Sequence, residues 1–203
     1  MKDQKLLYLH GFNSSPQSHK AQLVSQYMQA HGCHEQLICP HIPHIPGEAQ
    51  SFLEQLAETS LQDANLSYVG SSLGGYYAVY LAEKYGGRAV LINPSVKPYE
   101  TLMAHLGTNK FYFDEGCWEF NESHIEQLKA MDVPVIKHPE NYMVLLQTGD
   151  ETLDYRQAAE KFSHSQCIIE DGGSHAFDGL ERFLPQIMKF CNIDCKHEAD
   201  HKH

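Results

Sequence analysis

The sequence predicts an α/β fold in which a mostly parallel sheet of about six strands is covered by helices on both faces. Short apolar runs alternate with amphipathic helical patterns along the chain, as in parallel sheets joined by crossover helices. The 203 residues suit a single domain, and their hydrophobic content of 42% is sufficient for a substantial core. No antiparallel hairpin pattern precedes the first strand, so we expect a small version of such a fold.

The first elements follow from local signals. Residues 6–9 form an apolar run that predicts the first strand. Ser15-Pro16 predicts the start of a helix, because serine caps helix N-termini and proline is tolerated in the first turn. Gly32 is expected to end that helix. Residues 37–40 predict a short second strand, and a proline-rich loop follows it.

The same alternation continues toward the C-terminal region. Helices are predicted around residues 49–57, 78–85 and 177–188, where apolar side chains recur at helical spacing. The remaining predicted strands cover residues 66–69, 89–92, 143–147 and 167–170.

Residues 95–141 break this rhythm and form an insertion within the single domain. The insertion contains the aromatic segments Phe111-Tyr112-Phe113 and Trp118-Glu119-Phe120. One interpretation is a cap that forms a lid or an acyl-pocket wall over the site. The other is aromatic packing that only anchors a long excursion to the core. The sequence leaves both interpretations open.

The most informative motif is a Gly-x-Ser-x-Gly sequence centred on Ser72. It lies between a predicted strand and a predicted helix, which is the context of a nucleophile elbow. Glycine is needed at Gly70 and Gly74 because a side chain there would collide with the neighbouring backbone. Ser71 does not fit, because a motif centred on it would need glycine where Val69 and Leu73 stand. The alternative is an ordinary serine in a glycine-rich turn.

Two titratable residues follow later strands in the order that an α/β-hydrolase fold requires. Asp150 comes just after the strand at residues 143–147, and His175 comes just after the last strand. The chain order Ser72, Asp150, His175 is that of this fold. Asp154 is the other candidate acid, but its place at the head of a helical run suits an N-cap, so Asp150 is preferred.

These residues predict a catalytic triad for nucleophilic catalysis. A serine hydroxyl is a weak nucleophile at neutral pH and needs a base, here His175, whose tautomer an acid must hold, here Asp150. The tetrahedral oxyanion would be bound by the backbone N–H groups of Phe12 and Leu73. His10, one of fourteen histidines, is expected to brace the loop that carries Phe12.

The motifs extend well beyond the serine turn. Among them are Leu-Tyr-Leu-His-Gly-Phe-Asn-Ser-Ser-Pro at 7–16 and Val-Gly-Ser-Ser-Leu-Gly-Gly-Tyr-Tyr-Ala at 69–78, and shorter segments lie at 93–94, 147–151, 153–158 and 174–177. This set resembles the YqiA-type esterases, which are small bacterial α/β-hydrolases. The resemblance covers roughly residues 4–190 and implies a serine hydrolase of acyl esters. It implies no particular natural substrate.

Composition limits the other function classes. The formal net charge of −11 disfavours nucleic-acid binding, which requires a basic face. No Rossmann fingerprint, P-loop or zinc signature is present, so neither a cofactor nor a metal is expected. The expected partner is a small-molecule acyl ester, and the sequence does not determine the oligomeric state. An acyl thioesterase of the acyl-CoA type and a non-catalytic binding protein are the alternatives.

The sequence also predicts a compartment. The charged first five residues precede an apolar run that is too short for a signal peptide, and no run is long enough for a membrane span, so a cytoplasmic protein is expected.

The six cysteines form no Cys-x-x-Cys pair, which favours free thiols over disulfides. Residues 191–203 are expected to form a flexible tail whose histidines are solvated rather than metal-bound.

Overall fold

A six-stranded parallel sheet forms the centre of the computed structural model, which describes residues 2–195. The strands in this part of the chain are β1 (Asp3–Leu9), β2 (Leu37–Ile38), β3 (Ala64–Ser71), β4 (Ala89–Ile92), β5 (Gly107–Lys110), β6 (Cys117–Phe120), β7 (Tyr142–Gln147) and β8 (Gln166–Glu170). The central sheet has the order β2-β1-β3-β4-β7-β8, and β5 and β6 form a separate antiparallel hairpin. The predicted sheet of about six parallel strands is thus confirmed.

Helices cover both faces of this sheet, as the alternation predicts. Side chains along each strand alternate between two buried clusters, for example Leu7 and Leu9 in one cluster and Leu6 and Tyr8 in the other. The helices in the described residues are α1 (His19–Ala30), α2 (Pro46–Asp63), α3 (Leu73–Tyr85), α4 (Pro98–Thr101), α5 (Glu122–Ala130), α6 (Tyr155–Lys161) and α7 (Leu184–Phe190). None of them is both long and apolar enough to cross a bilayer.

Two predicted helix starts are wrong. The first helix begins at His19 rather than at Pro16, because Ser15 closes a separate turn by accepting the N–H of Ser18 at 3.0 Å. The last helix begins at Leu184 rather than near Phe177. Phe177 has a φ of 63°, so the backbone there is left-handed and cannot belong to a right-handed helix.

The structure corrects the expectation of free thiols for two of the six cysteines, and it corrects the expected start of the tail. Cys33 and Cys195 form a disulfide across a sequence separation of 162 residues. Cys191 and Ile193 are buried against the core, so the chain stays packed beyond residue 191. Tertiary folding brings this segment close to the end of α1. No local pattern could therefore indicate that Cys33 pairs with Cys195. The rest of the expected tail, residues 196–203, lies outside the described residues.

Residues 95–141, the segment predicted to be an insertion, contain α4, the β5–β6 hairpin and α5. Trp118 and Phe120 on β6 are buried, and both rings contact the ring of Phe12. Tyr112 in the turn of the hairpin is instead 78% exposed. The aromatic residues of β6 therefore anchor the insertion to the loop that follows β1.

Candidate active site

Ser72 lies in a sharp turn between β3 and α3. Its backbone angles are φ 55° and ψ −121°, a conformation that residues with a side chain rarely adopt. A Cβ atom on Gly70 would collide with the carbonyl of Gly74, and a Cβ atom on Gly74 would collide with the carbonyl of Leu9. These collisions are the physical reason for glycine at both positions of the motif.

The ring of His175 joins Ser72 to Asp150. Its Nε2 atom lies 3.1 Å from Ser72 Oγ, and its Nδ1 atom lies 2.8 Å from Asp150 Oδ2. Asp150 follows β7 and His175 follows β8, and both strands run parallel to β3, which ends just before Ser72. The structure therefore brings together the three residues that the sequence pattern singled out.

The Asp150 carboxylate is buried, and only 2% of its side chain is exposed. Its Oδ1 atom also accepts the N–H groups of Thr152 and Leu153, both at 2.8 Å. Burial acts to raise the pKa of this carboxyl, but the hydrogen bonds from His175 and from the two N–H groups outweigh it and keep the pKa below its ordinary value. Asp150 is consequently an ionised acceptor for the ring at neutral pH.

Asp154, the alternative acid, has a different place. It caps α6, where its Oδ1 atom accepts the N–H of Arg156 at 3.0 Å and its carboxylate pairs with the Arg156 guanidinium. Among the described residues no hydrogen bond joins Asp154 to His175. The helix-capping role expected for Asp154 is thus the one observed.

Phe12 and Leu73, whose backbone N–H groups are expected to form an oxyanion hole, line the same pocket as Ser72. A Cβ atom on Gly11 would be 3.3 Å from Ser72 Cβ, so the loop that leads into Phe12 runs directly against the serine. Leu73 is the first residue of α3, where a helix leaves its N–H groups without a partner. Within residues 2–195, no hydrogen bond uses the N–H of Phe12 or of Leu73.

His10 braces this loop from inside the protein. It is 4% exposed, and its Nε2 atom accepts the N–H of Ile42 at 3.0 Å. The proton must therefore be on Nδ1, which donates to the carbonyl of Gly11 at 3.1 Å. This carbonyl belongs to the same peptide group as the N–H of Phe12 and points the opposite way. Fixing the carbonyl therefore fixes the direction of the N–H.

The neutral form of His10 should make stability depend on pH. Burial lowers the pKa of His10 to about 4, whereas an unfolded chain has a histidine pKa of about 6.5. Below pH 6.5 the unfolded state binds a proton that the folded state binds only near pH 4, so stability falls as the pH falls through this window. We expect His10 to account for a loss of about 3 kcal/mol by pH 4.

Urea unfolding between pH 7 and pH 4 measures this loss. In a His10→Gln variant, the free energy of unfolding should be lower at pH 7, because the hydrogen bonds of His10 to Gly11 and Ile42 are weakened. This free energy should decline less than that of the wild type as the pH falls. Equal declines in the two proteins would show that His10 titrates normally in the folded state.

A cleft of about 800 Å³ opens above Ser72. The insertion contributes apolar wall residues, among them Pro98, Leu102 and Ala104. The start of α1 and the loop after β7 contribute a polar part, which includes Lys20 and Glu151. In the part of the chain that the structure describes, no group of three His, Cys, Asp or Glu side chains is arranged to hold a metal ion.

Four side chains to which the sequence pattern assigned no role hold the backbone around His175. Glu151 accepts the N–H of His175 at 3.0 Å, and Lys20 donates to the carbonyl of Ala176 at 3.1 Å. The other two, Asn93 and Gln147, are buried. Two sequence signals pointed to Asn93 and Gln147. They belong to the segments at 93–94 and 147–151 that carry the family resemblance, and they stand at the carboxyl ends of strands that flank the site.

A family model described as "Uncharacterised protein family (UPF0227)" matches residues 5–192. The chain belongs to the UPF0227 family. The UPF0227 protein YcfP of Escherichia coli O9:H4 (strain HS) is 26% identical, and the match covers 91% of this chain and 97% of YcfP. Membership of UPF0227 confirms the family resemblance that the motifs indicate.

Solved structures support the fold of this UPF0227 protein. Alpha/beta hydrolase domain-containing protein 10 from mouse matches with a TM-score of 0.64 and 15% identity, over 93% of this chain and 89% of the mouse chain. The esterase Pf2001 of Pyrococcus furiosus matches with a TM-score of 0.61 and 13% identity, over 94% of this chain and 81% of its own. These likenesses confirm the predicted α/β-hydrolase fold.

Proposed function

We propose that this UPF0227 protein is a serine hydrolase that cleaves carboxylic esters through an acyl-enzyme on Ser72. One observation carries the proposal: contacts of 3.1 Å and 2.8 Å run from Ser72 Oγ through the His175 ring to the buried Asp150 carboxylate. A nucleophile, a base and an acid at hydrogen-bond distance are what acyl transfer by serine requires. A fold shared with an esterase is compatible with this function.

In the acylation step, Ser72 Oγ attacks the carbonyl carbon of the ester while His175 Nε2 accepts the hydroxyl proton. Asp150 accepts the Nδ1–H of the ring and stabilises the imidazolium that forms. The N–H groups of Phe12 and Leu73 donate to the carbonyl oxygen as it becomes an oxyanion. His175 then gives its proton to the leaving alkoxide oxygen as the carbon–oxygen bond breaks.

Deacylation repeats this chemistry with water. His175 removes a proton from a water molecule, whose oxygen attacks the acyl carbon on Ser72. The same two N–H groups bind the second oxyanion. The bond from the acyl carbon to Ser72 Oγ then breaks, and His175 returns the proton to the serine, so that the carboxylic acid leaves and the free hydroxyl is restored.

We assign the insertion at residues 95–141 the role of an acyl-pocket wall in addition to its anchoring role. Its apolar residues line the cleft above Ser72. It is also tied to the oxyanion loop, because Trp118 Nε1 donates to Asn13 Oδ1 at 2.8 Å and the Trp118 ring contacts Phe12. A wall fixed in this way would give the acyl group a defined maximum length.

A p-nitrophenyl ester series of increasing acyl length, together with thioesters of matched length, tests the proposal. We expect hydrolysis with a chain-length optimum, and covalent labelling of Ser72 by a fluorophosphonate probe. A preference for the thioesters would make the protein an acyl thioesterase. Absence of both turnover and labelling would favour a non-catalytic protein that binds its partner through the insertion.

A further inference from the structure

Asn93 connects the two segments that carry Asp150 and His175. It follows β4 directly and is 2% exposed. Its Oδ1 atom accepts the N–H of Gln147, the last residue of β7, at 3.0 Å. Its Nδ2 group donates to the carbonyl of Ser174 at 2.9 Å and lies 3.4 Å from the carbonyl of His175. One buried amide thus fixes the end of β7 relative to the loop of His175.

We propose that Asn93 is a positioning residue that holds His175 within hydrogen-bond distance of both Ser72 and Asp150. The proposal rests on the proposed function, because it concerns the same site. Asn93 touches neither reacting atom and acts through the backbone of the His175 loop.

The loop of His175 needs such a support because it has no regular secondary structure of its own. It connects β8 to the 3₁₀ turn at Leu180–Phe183. In the described residues, the carbonyls of Gly172 and Ser174 accept N–H groups from turns, those of Gly149 and Phe177, and not from a strand or a helix. The two other contacts to the backbone at residues 175–176 come from Glu151, which is exposed, and from Lys20, which is half-buried. Hydrogen bonds that compete with water restrain a loop less than buried ones do. Asn93 is therefore a buried restraint on the carbonyl groups of this loop.

Gln147 completes this buried network and gives the loop its shape. Its Oε1 atom accepts the N–H of Asp178 at 2.8 Å and that of Ser174 at 3.2 Å. Gly173 packs so tightly against the Gln147 side chain that a Cβ atom there would collide with it. Gln147 thereby fixes the two ends of the segment 174–178, and Asn93 fixes the carbonyl groups of Ser174 and His175.

The chemistry of position 93 explains why asparagine occupies it. The residue has a φ of 40°, and asparagine enters the left-handed region more readily than most residues with a side chain. Its amide supplies both an acceptor for the N–H of Gln147 and a donor for the carbonyl of Ser174. Aspartate would keep the size, the acceptor and the backbone preference, but once ionised it has no donor and would direct an oxygen at the Ser174 carbonyl.

Asn93→Asp is therefore the informative substitution. We expect kcat for a p-nitrophenyl ester to fall about 30- to 100-fold, because a misplacement of about 1 Å at a catalytic centre has an effect of this order. KM should stay within about twofold, since Asn93 does not line the cleft. The low-field proton NMR signal of the His175 Nδ1–H, which reports its hydrogen bond to Asp150, should weaken or move.

Ser67→Ala is the matched control. Ser67 is also 2% exposed, and its hydroxyl donates to a buried carbonyl, that of Cys191, at 3.1 Å. It lies on β3 four residues before Ser71, away from the cleft. This variant should lose stability but keep kcat within about twofold and keep the wild-type NMR signal.

The possible outcomes separate the two proposals. A kcat in Asn93→Asp within twofold of the wild type, or an equal fall in Ser67→Ala, would refute a positioning role. If Asn93→Asp does not fold, Asn93→Gly accepts the same φ and is judged by the same criteria. Should the wild type hydrolyse no ester while the NMR signal still depends on Asn93, the proposed function fails and the positioning role stands.

Discussion

Ser72→Ala is expected to lower ester turnover by about 10⁵- to 10⁶-fold, the loss seen when the nucleophile of a triad is removed. The substitution deletes one oxygen atom, the one that lies 3.1 Å from His175 Nε2. Without it no acyl-enzyme can form, although the ester can still bind in the cleft. Steady-state assays with one p-nitrophenyl ester, combined with fluorophosphonate labelling, measure the effect.

The stability of the Ser72 variants provides the control for this result. Alanine at position 72 must adopt the same φ of 55° as serine, so Ser72→Ala should unfold at nearly the wild-type urea concentration. Glycine has no Cβ and relieves the strain of this turn, so Ser72→Gly should be more stable than the wild type by about 1 kcal/mol. Turnover retained in both folded variants would place the nucleophile elsewhere.

Asp150→Asn is expected to lower kcat by about 10³- to 10⁴-fold, because an amide cannot hold the ring in the required tautomer or stabilise the imidazolium. Asparagine has the same size, and its one oxygen can still accept from the N–H groups of Thr152 and Leu153. The fold should therefore survive. The measurement is kcat and KM of the purified variant at a pH where the wild type is fully active.

Asp154→Asn is the matched control, with the same change four residues along the chain. Asparagine caps helices as well as aspartate does, so α6 should remain intact. The lost ion pair with Arg156 is exposed, and its removal should leave kcat within about twofold. Similar losses of activity in the two variants would contradict the assignment of Asp150 as the acid.

The candidate site was largely predictable because its main signals are local or follow chain order. The need for glycine at Gly70 and Gly74 arises from backbone sterics within one turn, so the motif itself indicates a strained serine. Asp150 and His175 each follow an apolar strand pattern, and parallel strands carry their carboxyl ends to the same edge of a sheet. Asp150 could be preferred over Asp154 as the catalytic acid because Asp154 stands at the head of a helical run, where an N-cap is expected.

Errors arose where local signals were ambiguous or absent. Ser15-Pro16 resembles a helix start, but the Ser15 carbonyl closes a separate turn and Ser18 takes the N-cap position. Phe177 continues an apolar periodicity, yet its left-handed backbone keeps it out of α7. In both cases backbone geometry, which side-chain periodicity does not encode, determined where the helix begins.

Local sequence patterns predicted the alternation of the six sheet strands with helices, the strained serine and the residues that follow the strands. These depend on steric limits and hydrophobic periodicity over a few neighbouring positions. Three contacts emerge only in the folded chain: Cys33 bonds to Cys195, Trp118 packs on Phe12, and Asn93 donates to the carbonyl of Ser174. Such pairs are distant in the chain, and they meet because packing two layers of helices on one sheet fixes positions that no local pattern specifies.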